Sequence, residues 1–187
     1  EQIIYNFTIS NIFGSFENDF LIINENGKFY KINSNGVDKK ELPYSHLISA
    51  CSNTYSAPNQ EDKNKFKVII NGTIINEDYE LDDMFNFSGK WGILDESGNI
   101  IIEPRFAFID FFRSSEYYKV AKGGLALELT NDDKWVAKGA NWGVIGKDNI
   151  ELIPTEYDWI EEISENLFAV NIGGTVYYKD NYQEEYW

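Results

Sequence analysis

At 187 residues, with 43% hydrophobic side chains, the chain is long enough to bury a core of its own or to form a short repeat array. A formal net charge of −15, from 31 acidic against 16 basic residues, excludes a nucleic-acid backbone as ligand and disfavours an anionic membrane surface, since both need clustered Lys and Arg. One cysteine, Cys51, and one histidine, His46, exclude an internal disulfide and an ordinary zinc site.

The lone cysteine fits a reducing compartment and favours the cytoplasm over the cell surface. No apolar run approaches the roughly 20 residues of a membrane helix, so no membrane insertion is expected. Aromatic residues make up 16% of the chain, and Ile and Asn are frequent. Ile, Tyr and Phe suit a pleated, half-buried surface, while Asn with Gly suits tight turns, so composition points to an all-β protein.

From the N-terminus, strands are predicted at 20–24, 28–33 and 66–70. Asn26-Gly27, Asn35-Gly36 and Asn71-Gly72 stand between apolar or alternating runs and read as two-residue type I′ turns. Further strands are predicted at 92–95 and 100–103, around Ser97-Gly98-Asn99, then at 117–121 and 143–145. The last pair, 167–171 and 175–179, flanks Gly173-Gly174, which, like Ser97-Gly98-Asn99, reads as a hairpin turn. One segment departs from this pattern: 157–165 carries Ile160 and Ile163 at helical spacing and predicts a helical turn. The triplets beginning at Asn6, Asn71 and Asn86 fit the glycosylation pattern, which so Asn-rich a chain produces by chance.

Sliding the chain on itself reveals a repeat. When Trp91-Gly92-Ile93 falls on Trp142-Gly143-Val144, residues 101–106 fall on 152–157 and Ile109 on Ile160. After the loss of one residue, Tyr118, Val120 and Gly123-Gly124 fall on Phe168, Val170 and Gly173-Gly174. A weaker first copy places Gly27-Lys28-Phe29 on Gly89-Lys90-Trp91, Tyr44 on Phe106, Leu47 on Ile109, and Val68 on Val120. The unit is an aromatic strand, a turn, an aliphatic strand, an aromatic corner, an aliphatic position and a strand ending in Gly. The expected architecture is an antiparallel hairpin or meander array of about three repeats in a single domain, 1–187, open or partly closed. The repeats span roughly 20–72, 89–124 and 140–178, with insertions at 49–65, 77–83 and 125–140. The last insertion is expected to add a hairpin with Thr130-Asn131-Asp132-Asp133 at its tip.

The segments GKWGILDESGNIIIEPRF (89–106) and ANWGVIGKDNIELIPTEYD (140–158) resemble the WG repeat, a bacterial repeat family. That repeat reads Gly-Lys-Trp-Gly-Ile-Ile-Asp, then Gly, an Ile/Val strand ending in Pro, an aromatic corner and an aromatic-x-Val strand. The second segment departs at Gly146, where Asp95 stands, and at Asn149, where Gly98 stands; the first copy has Phe29-Tyr30 in place of Trp-Gly. The resemblance covers roughly 20–178 and implies a β-hairpin array but no activity, because the family is defined by its repeat. In register, Trp91 and Trp142 read as packing residues, and the Gly beside each admits a close backbone.

No constellation predicts catalysis. His46 and Cys51 are near in sequence but have no activating third group. Asp82-Asp83 and Asn131-Asp132-Asp133 do not follow a calcium-loop spacing. Glu103, Asp110 and Glu161 lie near the aromatic corners without a spacing that singles out a glycosidase pair. Gly123-Gly124 and Gly173-Gly174 end strands with no helix after them, so no phosphate loop, cofactor or metal is expected. The sequence predicts a non-catalytic module that binds a basic protein partner through an acidic, aromatic surface, an immunity or inhibitor protein being one form of that role. Insertions in repeat proteins commonly carry the binding face. The candidate partner-binding residues are therefore Glu80, Asp82, Asp83, Asp132, Asp133, Trp135 and Trp159. The alternative is a glycan- or cell-wall-binding surface module in which Trp135, Trp159 and the tyrosines stack on sugars; a carboxylate-using hydrolase comes third.

Overall fold

The computed structural model describes residues 9–13, 20–33, 38–49, 65–74, 88–95, 98–112, 117–129, 135–164, 166–174 and 176–178. Among them there is no helix, and every strand pair is antiparallel. The first sheet holds β1 (Ile9–Phe13), β2 (Phe20–Glu25), β3 (Lys28–Asn33) and β4 (Lys39–Leu42), in that order. The second holds β5 (His46–Ser49), β6 (Phe66–Ile70), β7 (Lys90–Leu94) and β8 (Ile100–Phe106). The third holds β9 (Phe108–Phe111), β10 (Tyr117–Leu129), β11 (Trp135–Gly146) and β12 (Glu151–Tyr157). A fourth sheet is only the hairpin of β13 (Trp159–Ser164) and β14 (Leu167–Asn171), while β15 (Val176–Tyr178) pairs with β11. Among the described residues the sheets do not join into a closed barrel, and the fold is an all-β repeat array.

Sheets and repeats are out of phase. Each repeat contributes its first hairpin to one sheet and its second hairpin to the next, so β5–β6 of the first copy and β7–β8 of the second share a sheet. Likewise β9–β10 of the second copy and β11–β12 of the third share one. A backbone bond marks the same corner in all three copies. The N–H of Ser45 donates to Ile69 O at 2.7 Å, that of Ala107 to Ala121 O at 2.8 Å, and that of Asp158 to Asn171 O at 2.9 Å. The first copy thus shares the unit's geometry although it lacks the Trp-Gly pair.

The core lies between successive sheets. Ile22 and Phe29 of the first sheet meet Leu47, Val68 and Leu94 of the second and Tyr44 of the connection between them. The larger cluster runs from Ile69, Trp91 and Ile93 through Phe108, Ile109, Tyr118 and Val120 to Trp142, Val144 and Ile160. Both tryptophans are essentially without exposed surface, and burying a ring of that size is worth on the order of 2–3 kcal/mol from apolar area alone.

The glycine of each Trp-Gly pair answers a bulge in the neighbouring strand. In the second sheet Trp91 pairs with Phe106 and Ile93 with Ile102, so Gly92 alone faces residues 103–105. A Cβ on Gly92 would stand 2.5 Å from Ile102 O and 2.8 Å from Pro104 N. In the third sheet Trp142 pairs with Tyr157 and Val144 with Ile153, and a Cβ on Gly143 would stand 2.7 Å from Ile153 O and 2.9 Å from Thr155 N. Proline donates no backbone hydrogen bond and is at home in such a bulge. In the first copy Tyr30 takes the glycine's place, and Phe29 to Ile32 pair with Leu42 to Lys39 without a break in register. The bulge and the glycine are present together or absent together.

Three expectations need correction. Gly173-Gly174 closes no hairpin, because β15 pairs antiparallel with β11 and not with β14. Residues 157–164 form no helical turn: Trp159–Ser164 is strand β13, with Ile160 fully buried and Ile163 62% exposed, so the two isoleucines do not share a face. Nor does Asn71-Gly72 close a two-residue hairpin. Asn26-Gly27 does so, both residues having positive φ (53° and 79°) as type I′ requires. Asn71 has φ 52°, but the chain continues as Thr73, which meets Ser88 through a backbone bond of 3.0 Å and hydroxyls 2.8 Å apart before β7 begins. Gly72 and Gly89 make this a neck, since a Cβ on Gly89 would lie 2.7 Å from Gly72 Cα. In the third sheet a bulge between Gly123 and Ala126 stands at the matching place, after which Ala126–Leu129 pair with Lys138–Trp135. Asn35-Gly36 lies outside the described residues.

Candidate interaction surface

Two of the repeat junctions are closed in the same way. Lys67, on β6, is 3% exposed and lies 6.0 Å from the Trp91 ring centre, 5.3 Å from Phe108 and 5.6 Å from Phe111, with Asp110 Oδ1 at 3.7 Å from its ammonium. Lys119, at the matching place on β10, is 7% exposed and lies 4.8 Å from Trp142 and 3.4 Å from Trp159. In each junction the tryptophan also meets an aromatic of its own repeat edge-on, Trp91 with Phe108 at 4.9 Å and Trp142 with Trp159 at 4.8 Å. Ring faces and a carboxylate offset the cost of taking an ammonium out of water. One repeat supplies the lysine and the next supplies the rings, so the contact ties neighbours together.

The third copy differs at its outer end. There Ala169 stands where Lys67 and Lys119 stand, and β14 pairs only with β13 among the described residues. Of the large apolar side chains described as exposed, all but Ile74 and Ile100 fall between residues 150 and 172: Ile150, Leu152, Ile163, Leu167, Val170 and Ile172. The same stretch contains Glu151, Glu156, Asp158, Glu161, Glu162 and Glu165 and no Lys, Arg or His. Some of these carboxylates shape the repeat. The Asp158 carboxylate accepts the Gly173 N–H, and Glu161 accepts the Trp159 indole N–H. Glu151 accepts the Thr155 N–H at 2.9 Å, which with Lys122 at 3.4 Å holds its carboxyl below the usual range. Glu156 is exposed.

The departures of the third copy at Gly146 and Asn149 are one adjustment. Asn149 has φ 66°, close to the 69° of Gly98. The carboxylate that caps the turn moves from Asp95, which accepts the Asn99 N–H at 2.8 Å, to Asp148, which accepts the Ile150 N–H at 3.1 Å. A Cβ on residue 146 would stand 2.6 Å from Asp148 Oδ1, so a side chain there would push the capping carboxylate aside.

Of the residues singled out in the sequence, Trp159 is half-buried, its ring meeting Trp142 edge-on and carrying the Lys119 ammonium over it. Trp135 begins β11, paired with Leu129 on one side and Tyr178 on the other. Glu80, Asp82, Asp83, Asp132 and Asp133 lie outside the described residues, as does Cys51. His46 opens β5 half-buried, and burial pushes its imidazole below the ordinary range against the opposing effect of the Gly72 backbone. Among the described residues no group of three or more His, Cys, Asp or Glu is placed to hold a metal ion. The exposed apolar edge of β14 was missed in the sequence; the missing lysine at Ala169 was the signal available.

The WG containing repeat family matches residues 91–125 and 142–175, each match running from the tryptophan of one junction to the glycines that end the repeat. Among curated proteins none matches the chain. A solved structure described as the crystal structure of the eukaryotic initiation factor is similar at 8% identity, covering 98% of this chain and 55% of that one, with a TM-score of 0.29. The chain thus spans about half of that structure's length, and a likeness so low informs neither fold nor function. Residues 91–125 and 142–175, which supply the tryptophans of both closed junctions, are thus two WG containing repeats.

Proposed function

We propose that this chain is a non-catalytic interaction module that binds a basic protein partner through the outer face of its third repeat. The observation that carries the reading is the coincidence, between residues 150 and 172, of exposed Ile, Leu and Val side chains with carboxylates and no basic residue. Exposed apolar side chains rimmed by charge mark protein interfaces, and a one-signed field steers an oppositely charged partner. A small acidic inhibitor of a basic protein, such as an immunity protein, is the form of this role that charge and size fit best.

Affinity capture from extracts of the producing organism, at low salt and again at about 500 mM salt where surface charges are screened, tests the proposal. A basic partner is expected, released by salt and lost on the double substitution Glu156→Lys and Glu162→Lys. Capture that is indifferent to salt, or a partner without basic character, would overturn it.

A further inference from the structure

The strands β6, β10 and β14 hold the same place in successive repeats, yet only the first two are covered. Val68 on β6 and Val120 on β10 have no exposed surface, each lying beside a WG strand that pairs along its edge. The matching valine on β14, Val170, is 44% exposed, and Ile172 just beyond is 77% exposed. The rest of this hairpin is built as in the other copies. Ile160 is fully buried, the Asp158–Asn171 corner bond is made, and Phe168 packs 5.1 Å from Phe112 and 5.7 Å from Tyr117. The edge is therefore held in strand geometry by contacts on its inner side, while the place of the next WG strand is open among the described residues.

We infer that the β14 edge receives an antiparallel strand from another polypeptide, and that this strand has the character of β7 and β11. The internal junctions give the register. On β6, Ile69, Val68, Lys67 and Phe66 face Trp91, Gly92, Ile93 and Leu94. On β10, Ala121, Val120, Lys119 and Tyr118 face Trp142, Gly143, Val144 and Ile145. By the same pairing Asn171, Val170, Ala169 and Phe168 face an aromatic residue, a small residue and two aliphatic residues. Main-chain hydrogen bonds supply the affinity of such strand addition and the side chains its selectivity. Among the described strands a second copy has none of this kind to give, because β3, β7 and β11 each already lie between two neighbours. The described strand that follows, β15, pairs with β11 instead. Because residues 150–172 carry no cation, a basic flank on the incoming strand complements them. The inference rests on the reading of this chain as a protein-binding module and specifies how it binds.

The test uses the full chain, isotope-labelled, and a synthetic peptide with the sequence of residues 89–106 as probe. Saturable binding is expected, with amide shifts and slowed hydrogen exchange centred on 167–172. Val170→Arg is expected to weaken it about tenfold or more, a factor of ten being about 1.4 kcal/mol. A peptide N-methylated on the pairing nitrogens is expected not to bind, which tests the ladder without altering the protein. No binding, shifts centred elsewhere, or equal binding to the N-methylated peptide would overturn the inference. So would self-association of the chain that Val170→Arg abolishes, or a tenfold gain in peptide affinity on removing residues 180–187, since the occupant would then be a second copy or the chain's own tail. Loss of a basic partner through Glu156→Lys and Glu162→Lys with no peptide binding at β14 leaves the module reading standing and this inference refuted. Peptide binding at β14 without any basic partner does the reverse.

Discussion

The junction around Trp142 and the outer hairpin β13–β14 are built from matching sequence and differ in what lies alongside. At the junction Val120 is sealed, Lys119 is wrapped by two indole rings, and Trp142 is 1% exposed. At the outer hairpin the matching valine is nearly half exposed and the lysine is an alanine. A repeat's own residues thus decide only part of its burial, and its neighbour decides the rest, as expected where stability is a sum of repeat and interface contributions.

Substitutions on the two sides should separate these contributions. The largest effect is expected from Trp142→Ala, which empties a buried site and should cost about 3–5 kcal/mol in denaturant unfolding. Along the same comparison, Val120→Ala should cost about 2 kcal/mol and Val170→Ala well under about 1 kcal/mol; equal losses would mean that the outer edge is covered after all. Gly143→Ala drives a methyl against the backbone of Ile153 and Thr155 and should cost about 2 kcal/mol or more, measurable by the same unfolding curves. Lys119→Met keeps the stem and removes the cation, with an expected loss of about 1 kcal/mol, whereas Ala169→Lys on the outer hairpin should change stability little.

The smallest effect concerns pH and lies away from both regions. Burial holds the His46 imidazole below its ordinary value, so the unfolded chain binds its proton more readily than the folded one. Its contribution to stability is fully present above about pH 6.5 and is lost as the pH falls from there toward the folded-state value. A mild drop in thermal midpoint between about pH 7 and pH 5 is expected, reduced in His46→Gln. A stability rising on acidification through that window would contradict the assigned environment.

The repeat and its hairpins were legible in the sequence because their signals are local: Trp-Gly, the aromatic corners and Asn26-Gly27 each act within a few residues. The bulges opposite Gly92 and Gly143 were not, since they depend on register between strands. Ile160 and Ile163 misled because two isoleucines at helical spacing mimic a helical face, while the pairing with β14 slips between Glu162 and Ser164. Asn71-Gly72 carried turn chemistry that the fold uses at a neck rather than at a tight hairpin. For the candidate surface, the insertions drew attention by their acidity, but Glu80, Asp82, Asp83, Asp132 and Asp133 lie outside the described residues. The exposed edge of β14 depends on a missing neighbour, which pattern within a repeat does not display.

The half-repeat offset between sequence unit and sheet has a consequence for how such a gene can change length. A recombination event that deletes or duplicates one whole repeat, cutting at any matching pair of positions, rejoins a second hairpin to a first hairpin and restores a four-stranded sheet. Copy number can therefore drift without passing through a broken intermediate, and each event moves the terminal hairpin without altering its design.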